Sequence, residues 1–282
     1  MASLEDLLKF TKVVESSVCI EESGEILRRY YRFRASKNYG GSAVGDVLGC
    51  NLGCVYCWCW SINSKLKLGD YRKPKDVVEI LLSIARRDGF RIVRLSGGEP
   101  TLCFDHLVNV LKIFASVRRS EIFVVETNGI VLGVNDDYVH RLKPYRSAIV
   151  VRLSIKGCSE EEFEKITGFN RSVFYLQIKA LENLDAEGIP YTVAIPISFC
   201  SKNSFSKLVE ILTQRIGDHV FNYLEPEVFI LYPSTVRRLC RKGLKPWILY
   251  EPITRRKIGR GEVDEFFREL CREQGGRGSE GS

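Results

Sequence analysis

The chain has 282 residues, 45% of them hydrophobic and 27% charged, enough apolar material for one large α/β domain or two small ones. Its 42 Lys and Arg against 35 Asp and Glu give a formal net charge of +7. No apolar run approaches the length of a bilayer-spanning helix, which excludes a helical membrane protein and favours a well-cored globular one.

The N-terminus, Met1 to Asp6, is acidic and lacks a signal-peptide core, so the expected compartment is the cytoplasm, with no membrane partner. There the ten cysteines are expected to be reduced and disulfides disfavoured. A single Met and abundant Arg and Lys suit a heat-adapted host.

Ser3 with Asp6 reads as a capping box opening a helix over Leu4 to Ser16. Glu25 to Phe33 reads as a second helix. Its Arg28, Arg29, Tyr30, Tyr31, Arg32 and Arg34 form a basic-aromatic cluster that could stack on bases or pack on a barrel. Strand one is Ala43 to Leu48. Pro74 starts a helix through Arg87, and strand two is Arg91 to Leu95. A helix covers Phe104 to Val117, strand three Ile122 to Glu126, and a short helix lies near Asp136 to Leu142. Strand four is Ala148 to Ile155, followed by helices to Ile166 and over Ser172 to Glu187. Strand five is Tyr191 to Ile197, a helix spans Ser204 to Ile216, and strand six is Glu227 to Leu231.

Six strand–helix units in series imply parallel strands joined by right-handed crossovers. The expected fold class is α/β: a partial (β/α)6 TIM-like barrel with N-terminal helical and C-terminal extensions. The expected division is an extension over 1–40, the barrel over 41–234, a basic extension over 235–274 and a disordered tail over 275–282. Residues 236–260 hold nine Lys or Arg against Glu251, so the positive excess is local. Such a patch could meet RNA or an acidic partner, or be a solvated face.

The loop after strand one carries Cys50, Cys54 and Cys57 at C-x3-C-x2-C spacing. Random placement of ten cysteines gives such a triple on the order of one time in a hundred. Closely spaced thiols in a reduced compartment point to a metal centre. Structural zinc would want a fourth ligand, and no second C-x2-C exists. Three ligands suit a four-iron cluster with one iron left open. Cys59 is either a further ligand or a neighbouring thiol. Trp58 and Trp60 follow directly and read as cluster shields or as ordinary core aromatics.

Strand two ends in Ser96-Gly97-Gly98-Glu99-Pro100, two glycines that allow close approach to backbone and then a carboxylate. Together with the three cysteines, with Tyr56 before the last of them, this resembles the radical S-adenosylmethionine superfamily. Glu126-Thr127-Asn128-Gly129 and Leu153-Ser154-Ile155-Lys156-Gly157 add to the resemblance, which covers roughly residues 40 to 235. Within it the chain looks most like the small activating-enzyme type, similar to pyruvate formate-lyase activating enzymes.

The resemblance implies an enzyme with a [4Fe-4S] cluster and S-adenosyl-L-methionine. The cluster reductively cleaves S-adenosylmethionine to a 5′-deoxyadenosyl radical, which abstracts hydrogen from a substrate. It implies that Cys50, Cys54 and Cys57 bind iron, and that Gly97, Gly98 and Glu99 meet the methionyl ammonium. Lys156 would meet the carboxylate, Ser154 or Asn128 the ribose, and the Tyr56–Val55 region the adenine. A flavodoxin- or ferredoxin-like reductant is implied as well. The substrate stays open between a partner protein, RNA and a small metabolite. The reading from another class is an iron-sulfur electron-transfer protein.

Strand alternation adds an expectation of its own: Val151, Leu153 and Ile155 should face the helices, and Arg152, Ser154 and Lys156 the lumen. Glu126 and Asn128 share a face, and Thr192 and Glu227 are candidates to join them. Cys103 and Cys158 fall near the expected lumen mouth, as reactive thiols or as packing residues. Cys19, Cys200, Cys240 and Cys271 are too widely spaced to read as a second cluster motif.

Overall fold

The computed structural model describes residues 2–276. The first helix, Leu4–Val18, opens on the expected capping box: Asp6 N–H donates to the Ser3 hydroxyl at 3.1 Å, and Ser3 N–H donates to the Asp6 carboxylate at 2.8 Å. The second predicted helix does not form. Residues 19–36 are instead a hairpin, β1 (Cys19–Glu22) and β2 (Glu25–Ser36), turning at Ser23 and Gly24, both at positive φ. Leu27, Tyr30 and Tyr31 stand at helical spacing, which hid the strand. The irregular spacing arises from a bulge between Tyr30 and Arg32, which shifts the register against the next strand. The N-terminal extension is thus a helix and a hairpin, and the hairpin continues the main sheet.

The next strand is β3 (Ser42–Val47), and the short β4 (Asp70–Arg72) pairs with β2 at the edge. Then come β5 (Ile92–Gly97), β6 (Ile122–Thr127), β7 (Ile149–Ser154), β8 (Tyr191–Ile195) and β9 (Leu224–Pro226). Strands β3, β5, β6, β7, β8 and β9 are parallel and adjacent in that order, the arrangement of a partial barrel. The sixth parallel strand lies three residues earlier than predicted. It ends at Pro226, with one more bond to β8 from Glu227 N–H to Ile195 O at 2.7 Å. Helices Pro74–Arg87, Phe104–Val117, Phe174–Ala186 and Lys202–Ile216 lie close to their predicted spans and cover the outer face. The first of them buries Val77, Val78, Leu81 and Leu82, each worth about 1.5–3 kcal/mol relative to exposure.

Along β7 the alternation is as expected. Val151, Leu153 and Ile155 are fully buried under helices, while Arg152, Ser154 and Lys156 are half-buried on the other face. Among the described residues, no helix is long and apolar enough to cross a membrane.

A small module follows the barrel and begins before the predicted boundary at 235. Strands β10 (Phe229–Ile230), β11 (Leu249–Glu251) and β12 (Arg256–Ile258) form a second sheet beside helices Pro233–Lys242 and Arg260–Gly276. Leu231, Val236, Leu249, Ile258 and Val263 make its own core. Gly275 and Gly276 close the last helix, and the rest of the predicted tail lies outside the described residues.

The expectation of reduced cysteines does not hold. Cys19–Cys103, Cys158–Cys200 and Cys240–Cys271 are disulfide-bonded across 84, 42 and 31 residues. Separations of that size carry no pairing signal in a sequence, and only the folded sheet brings the partners together. Cys103 and Cys158 are therefore structural bridges rather than reactive thiols. The metal-free protein should titrate four free thiols under denaturing conditions and ten after reduction. In the chain-entropy account each bridge contributes about 4 kcal/mol, so reduction should lower the unfolding temperature markedly. Ten thiols without reductant would contradict the pairing.

Candidate functional site

The three-cysteine loop leaves the C-terminal end of β3, the end at which parallel α/β barrels place their chemistry. The four free cysteines are Cys50, Cys54, Cys57 and Cys59, and all lie within this one stretch. Burial pushes the Cys50 thiol upward and the Cys54 thiol up to about 12. The Cys59 sulfur beside it holds the Cys57 thiol down to about 7. Cys59 is already engaged: its S–H donates to the Gly97 carbonyl at 2.8 Å, and its sulfur accepts the Asn63 amide at 3.1 Å. It lies 3.5 Å from the Cys57 sulfur, buried behind it. Such a set of clustered thiols, one of them bonded to the glycine turn, fits a polynuclear iron centre.

The Gly97-Gly98-Glu99 turn packs directly on the start of the loop. Gly98 N–H donates to Val47 O and Glu99 N–H to Gly49 O, both at 2.8 Å. A Cβ on Gly98 would lie 2.2 Å from Gly49 O, so glycine is required for two backbones to approach this closely. Gly97 sits at φ +87° with its carbonyl on Cys59 and Asn63. Both glycines thus serve loop-to-loop packing, and neither was legible in that role.

Glu99 is 2% exposed and heavily bonded. Its Oε1 accepts from Thr101 N–H at 3.1 Å and from the Thr101 and Thr127 hydroxyls at 2.7 Å. Its Oε2 accepts from Asn128 N–H alone, at 2.7 Å, and keeps a lone pair for a cation. Behind it lies Arg28, fully buried on β2, whose Nη2 donates to the Glu99 carbonyl at 3.2 Å. Burial pushes the Arg28 guanidinium down to about 10. Its Nε and Nη1 have no hydrogen-bond partner.

The ends of β6 and β7 complete the ring. The Asn128 amide donates to Asn51 Oδ1 at 2.8 Å and lies 3.8 Å from the Cys50 sulfur, while its Oδ1 accepts Ile130 N–H at 3.0 Å. Those bonds tie Asn128 to the cysteine loop and to the backbone of Ile130. Ser154 is the freer of the two. Its hydroxyl accepts from Lys156 Nζ at 2.6 Å, and the Lys156 charge acts on both Cys54 and Cys57. Tyr56 stacks on Phe199 with ring centres 4.9 Å apart, so one ring face is covered by the protein. Val55 is buried, its N–H bonded to Ile166 O at 2.9 Å.

Gln177 escaped sequence reasoning. Fully buried on the helix Phe174–Ala186, it donates to Asn128 O at 2.5 Å and to Ser154 O at 3.1 Å, and accepts Lys156 N–H at 3.0 Å. It locks the ends of β6 and β7 together. An amide between Phe174 and Ile178 on an apolar helix face was the one available signal. Asn63 and Asn51 were missed, and Arg28 was read only as part of the basic-aromatic cluster, without its bond to the Glu99 carbonyl.

Below the loop the lumen is charged. Arg94 bonds Glu126 at 2.5 Å, and Arg152 bonds Glu225 and Glu227 at 2.6 Å each. Buried Asp46 takes Arg32 at 2.7 Å and Arg34 at 2.8 Å. The Tyr39 hydroxyl donates to Glu126 at 3.0 Å, with Arg94 and Arg152 lying over its ring. Glu227 joins as anticipated, from just beyond β9. Trp58 and Trp60, by contrast, are 39% and 42% exposed and are not core aromatics.

Residues 47–204, more than half of the chain, match the profile of the radical SAM superfamily. The chain is 26% identical over 195 residues to a probable GTP 3′,8-cyclase of Saccharolobus solfataricus, covering 68% of this chain and 57% of the relative. It is 25% identical over 192 residues to a probable GTP 3′,8-cyclase of Thermoplasma volcanium, covering 62% and 55%. It thus spans about half the length of the curated relatives it matches. Among solved structures it is similar to Streptococcus suis SuiB bound to S-adenosylmethionine, with TM-score 0.48 and 21% identity over 60% of this chain and 36% of that one. It is also similar to the cobalamin-dependent S-adenosylmethionine radical enzyme OxsB, with TM-score 0.49 and 11% identity over 82% and 40%.

Proposed function

The chain belongs to the radical SAM superfamily, and on that premise we propose that it is a radical enzyme acting on a small polar substrate held in its barrel lumen. Its cofactors are a [4Fe-4S] cluster and S-adenosylmethionine. When bound, they supply a carbon-centred radical able to take hydrogen from an unactivated C–H bond. In our reading Cys50, Cys54 and Cys57 hold the cluster. Glu99 offers Oε2 to the methionyl ammonium, Lys156 meets the carboxylate, and Ser154 is placed for a ribose hydroxyl. Asn128, Asn51 and Gln177 position these groups. Tyr56 lines the adenine side with its uncovered ring face.

The observation that carries the substrate class is the charged lumen. Replacing a buried ion pair by well-packed apolar side chains is often neutral or stabilising, so stability alone does not call for the Arg94–Glu126 pair there, and Arg152 adds a second cation whose partners Glu225 and Glu227 stay open to solvent. They suit a polar molecule whose groups exchange with theirs. The curated relatives are named for a reaction on a nucleotide rather than for activation of a partner protein. We therefore weigh a small substrate above the activating-enzyme reading. Since this chain spans only part of those relatives, we take from them the substrate class and not the reaction.

A flavodoxin- or ferredoxin-like protein would deliver the electron. Exposed Arg237, Arg241 and Lys242, on the helix beside the cysteine loop, offer it complementary charge. We place the reaction in the cytoplasm, and three disulfides there suit a heat-adapted cell.

The test uses the anaerobically reconstituted chain with dithionite and S-adenosylmethionine, and reads 5′-deoxyadenosine. A low-molecular-weight fraction of cell extract should raise the yield, and Arg152→Met should lower that stimulation about 10-fold or more. Stimulation by the protein or RNA fraction alone would overturn the proposal.

A further inference from the structure

The basic segment after the barrel has a contact that its composition does not announce. Arg238 lies on the helix Pro233–Lys242 and reaches back 183 and 181 residues, to Val55 and Cys57. Its Nε donates to Val55 O at 3.1 Å, and its Nη2 donates to Cys57 O. Its Nη1 is anchored at home on Ser234 O at 3.0 Å, and the guanidinium lies 5.0 Å from the Trp60 ring centre. The planar fork thus grips two carbonyls of the cysteine loop from outside and is backed by the next indole. Lysine, with one ammonium, could not hold the same geometry.

The grip is only as firm as its platform, and the platform is braced. Thr235, Val236 and Leu239 bury the other side of the helix, and Cys240–Cys271 staples it to the final helix. Trp247 N–H donates to Ser198 O at 3.0 Å and its indole to Cys200 O at 2.6 Å, while Phe229 N–H donates to the Ser198 hydroxyl at 2.8 Å. Those bonds dock the module on the turn after β8. On the barrel side, Val55 N–H is bonded to Ile166 O, so the loop is held from both faces.

We propose that the C-terminal module is a clasp for the three-cysteine loop, and that Arg238 is its positioning residue. It fixes the backbone on either side of Tyr56, and with it the direction of Cys57. The clasp rests on the reading of the loop as the cluster site only for its purpose. The contact itself exists in the metal-free chain and is tested there.

Hydrogen exchange on the metal-free full chain reads the loop directly. Arg238→Gln should speed exchange across residues 55–60 about 10-fold or more, the scale of two lost charge-assisted hydrogen bonds. Arg238→Lys should restore part of that protection, and the exposed neighbour change Arg237→Gln should leave it intact. Thermal unfolding of each variant separates local loosening from global loss of fold. In the reconstituted protein, iron release to a chelator should quicken about 10-fold or more in Arg238→Gln, as for other outer-shell partners of metal ligands. Loop exchange that is the same in wild type and in folded Arg238→Gln would overturn the proposal. Equal loosening by Arg237→Gln would also overturn it. Failure of the wild type to assemble a cluster would instead count against the cluster reading, with the clasp still standing on its exchange data.

Discussion

Cys50→Ala, Cys54→Ala and Cys57→Ala should each leave the chain folded, lower bound iron after reconstitution, and bring 5′-deoxyadenosine to background. Cys59→Ala should keep both the cluster and the cleavage activity. Cys59 is the critical comparison, because it is also free, buried and only 3.5 Å from the Cys57 sulfur. Its sulfur already bonds Gly97 O and the Asn63 amide, which leaves it braced against the glycine turn rather than available to iron. Its removal should cost about 0.5–1.5 kcal/mol of stability but not the metal, since Gly97 O and the Asn63 amide lose one bond each and keep the one between them. Iron and sulfide analysis with electron paramagnetic resonance of the reduced protein reads the outcome. Loss of the cluster in Cys59→Ala would make the centre a four-cysteine one. That result would favour the electron-transfer reading, because a closed coordination shell leaves no iron for S-adenosylmethionine.

Much of this arrangement was legible because parallel strands impose two simple rules. Side chains alternate across each strand, so Arg152, Ser154 and Lys156 were assigned to the lumen from parity alone, and the structure puts them there. Chemistry gathers at strand C-termini, so the motifs after β3, β5, β6 and β7 had to converge. What the pattern could not give are contacts between distant segments that have no period. The hairpin at 19–36 was misread because a bulge set its apolar residues at helical spacing. The disulfides join residues at least 31 apart, and Arg238 meets the cysteine loop from 181 residues away. Gln177 and Asn128 illustrate a subtler loss. Gln177 bonds only backbone atoms, which leave no mark in a sequence, and Asn128 divides its bonds between the backbone of Ile130 and the side chain of Asn51, 77 residues away. Motif matching therefore picked out residues that the fold gathers around Glu99, but it left unseen the bonds by which Gly98 and Asn128 hold the cysteine loop.

Glu99→Gln separates those two kinds of service. The change preserves shape but replaces one acceptor oxygen with an NH2 group. If the NH2 takes the place of Oε1 it faces Thr101 N–H, and if it takes the place of Oε2 it faces Asn128 N–H. Either way one backbone N–H loses its acceptor in a site that is 2% exposed, at a cost of about 1–3 kcal/mol. Unfolding should therefore shift downward by that amount. Loss of the negative charge should in addition weaken S-adenosylmethionine binding to the reconstituted protein about 10–100-fold, the range for a hydrogen bond to a charged partner. Equilibrium dialysis measures the second effect independently of turnover. A carboxylate that only holds the turn predicts the stability loss without the affinity loss. That combination would remove Glu99 from the ligand surface and leave its lone pair at Oε2 without a purpose in this reading. Both losses together would place the methionyl ammonium against Oε2, between the turn after β5 and the start of the segment after β6.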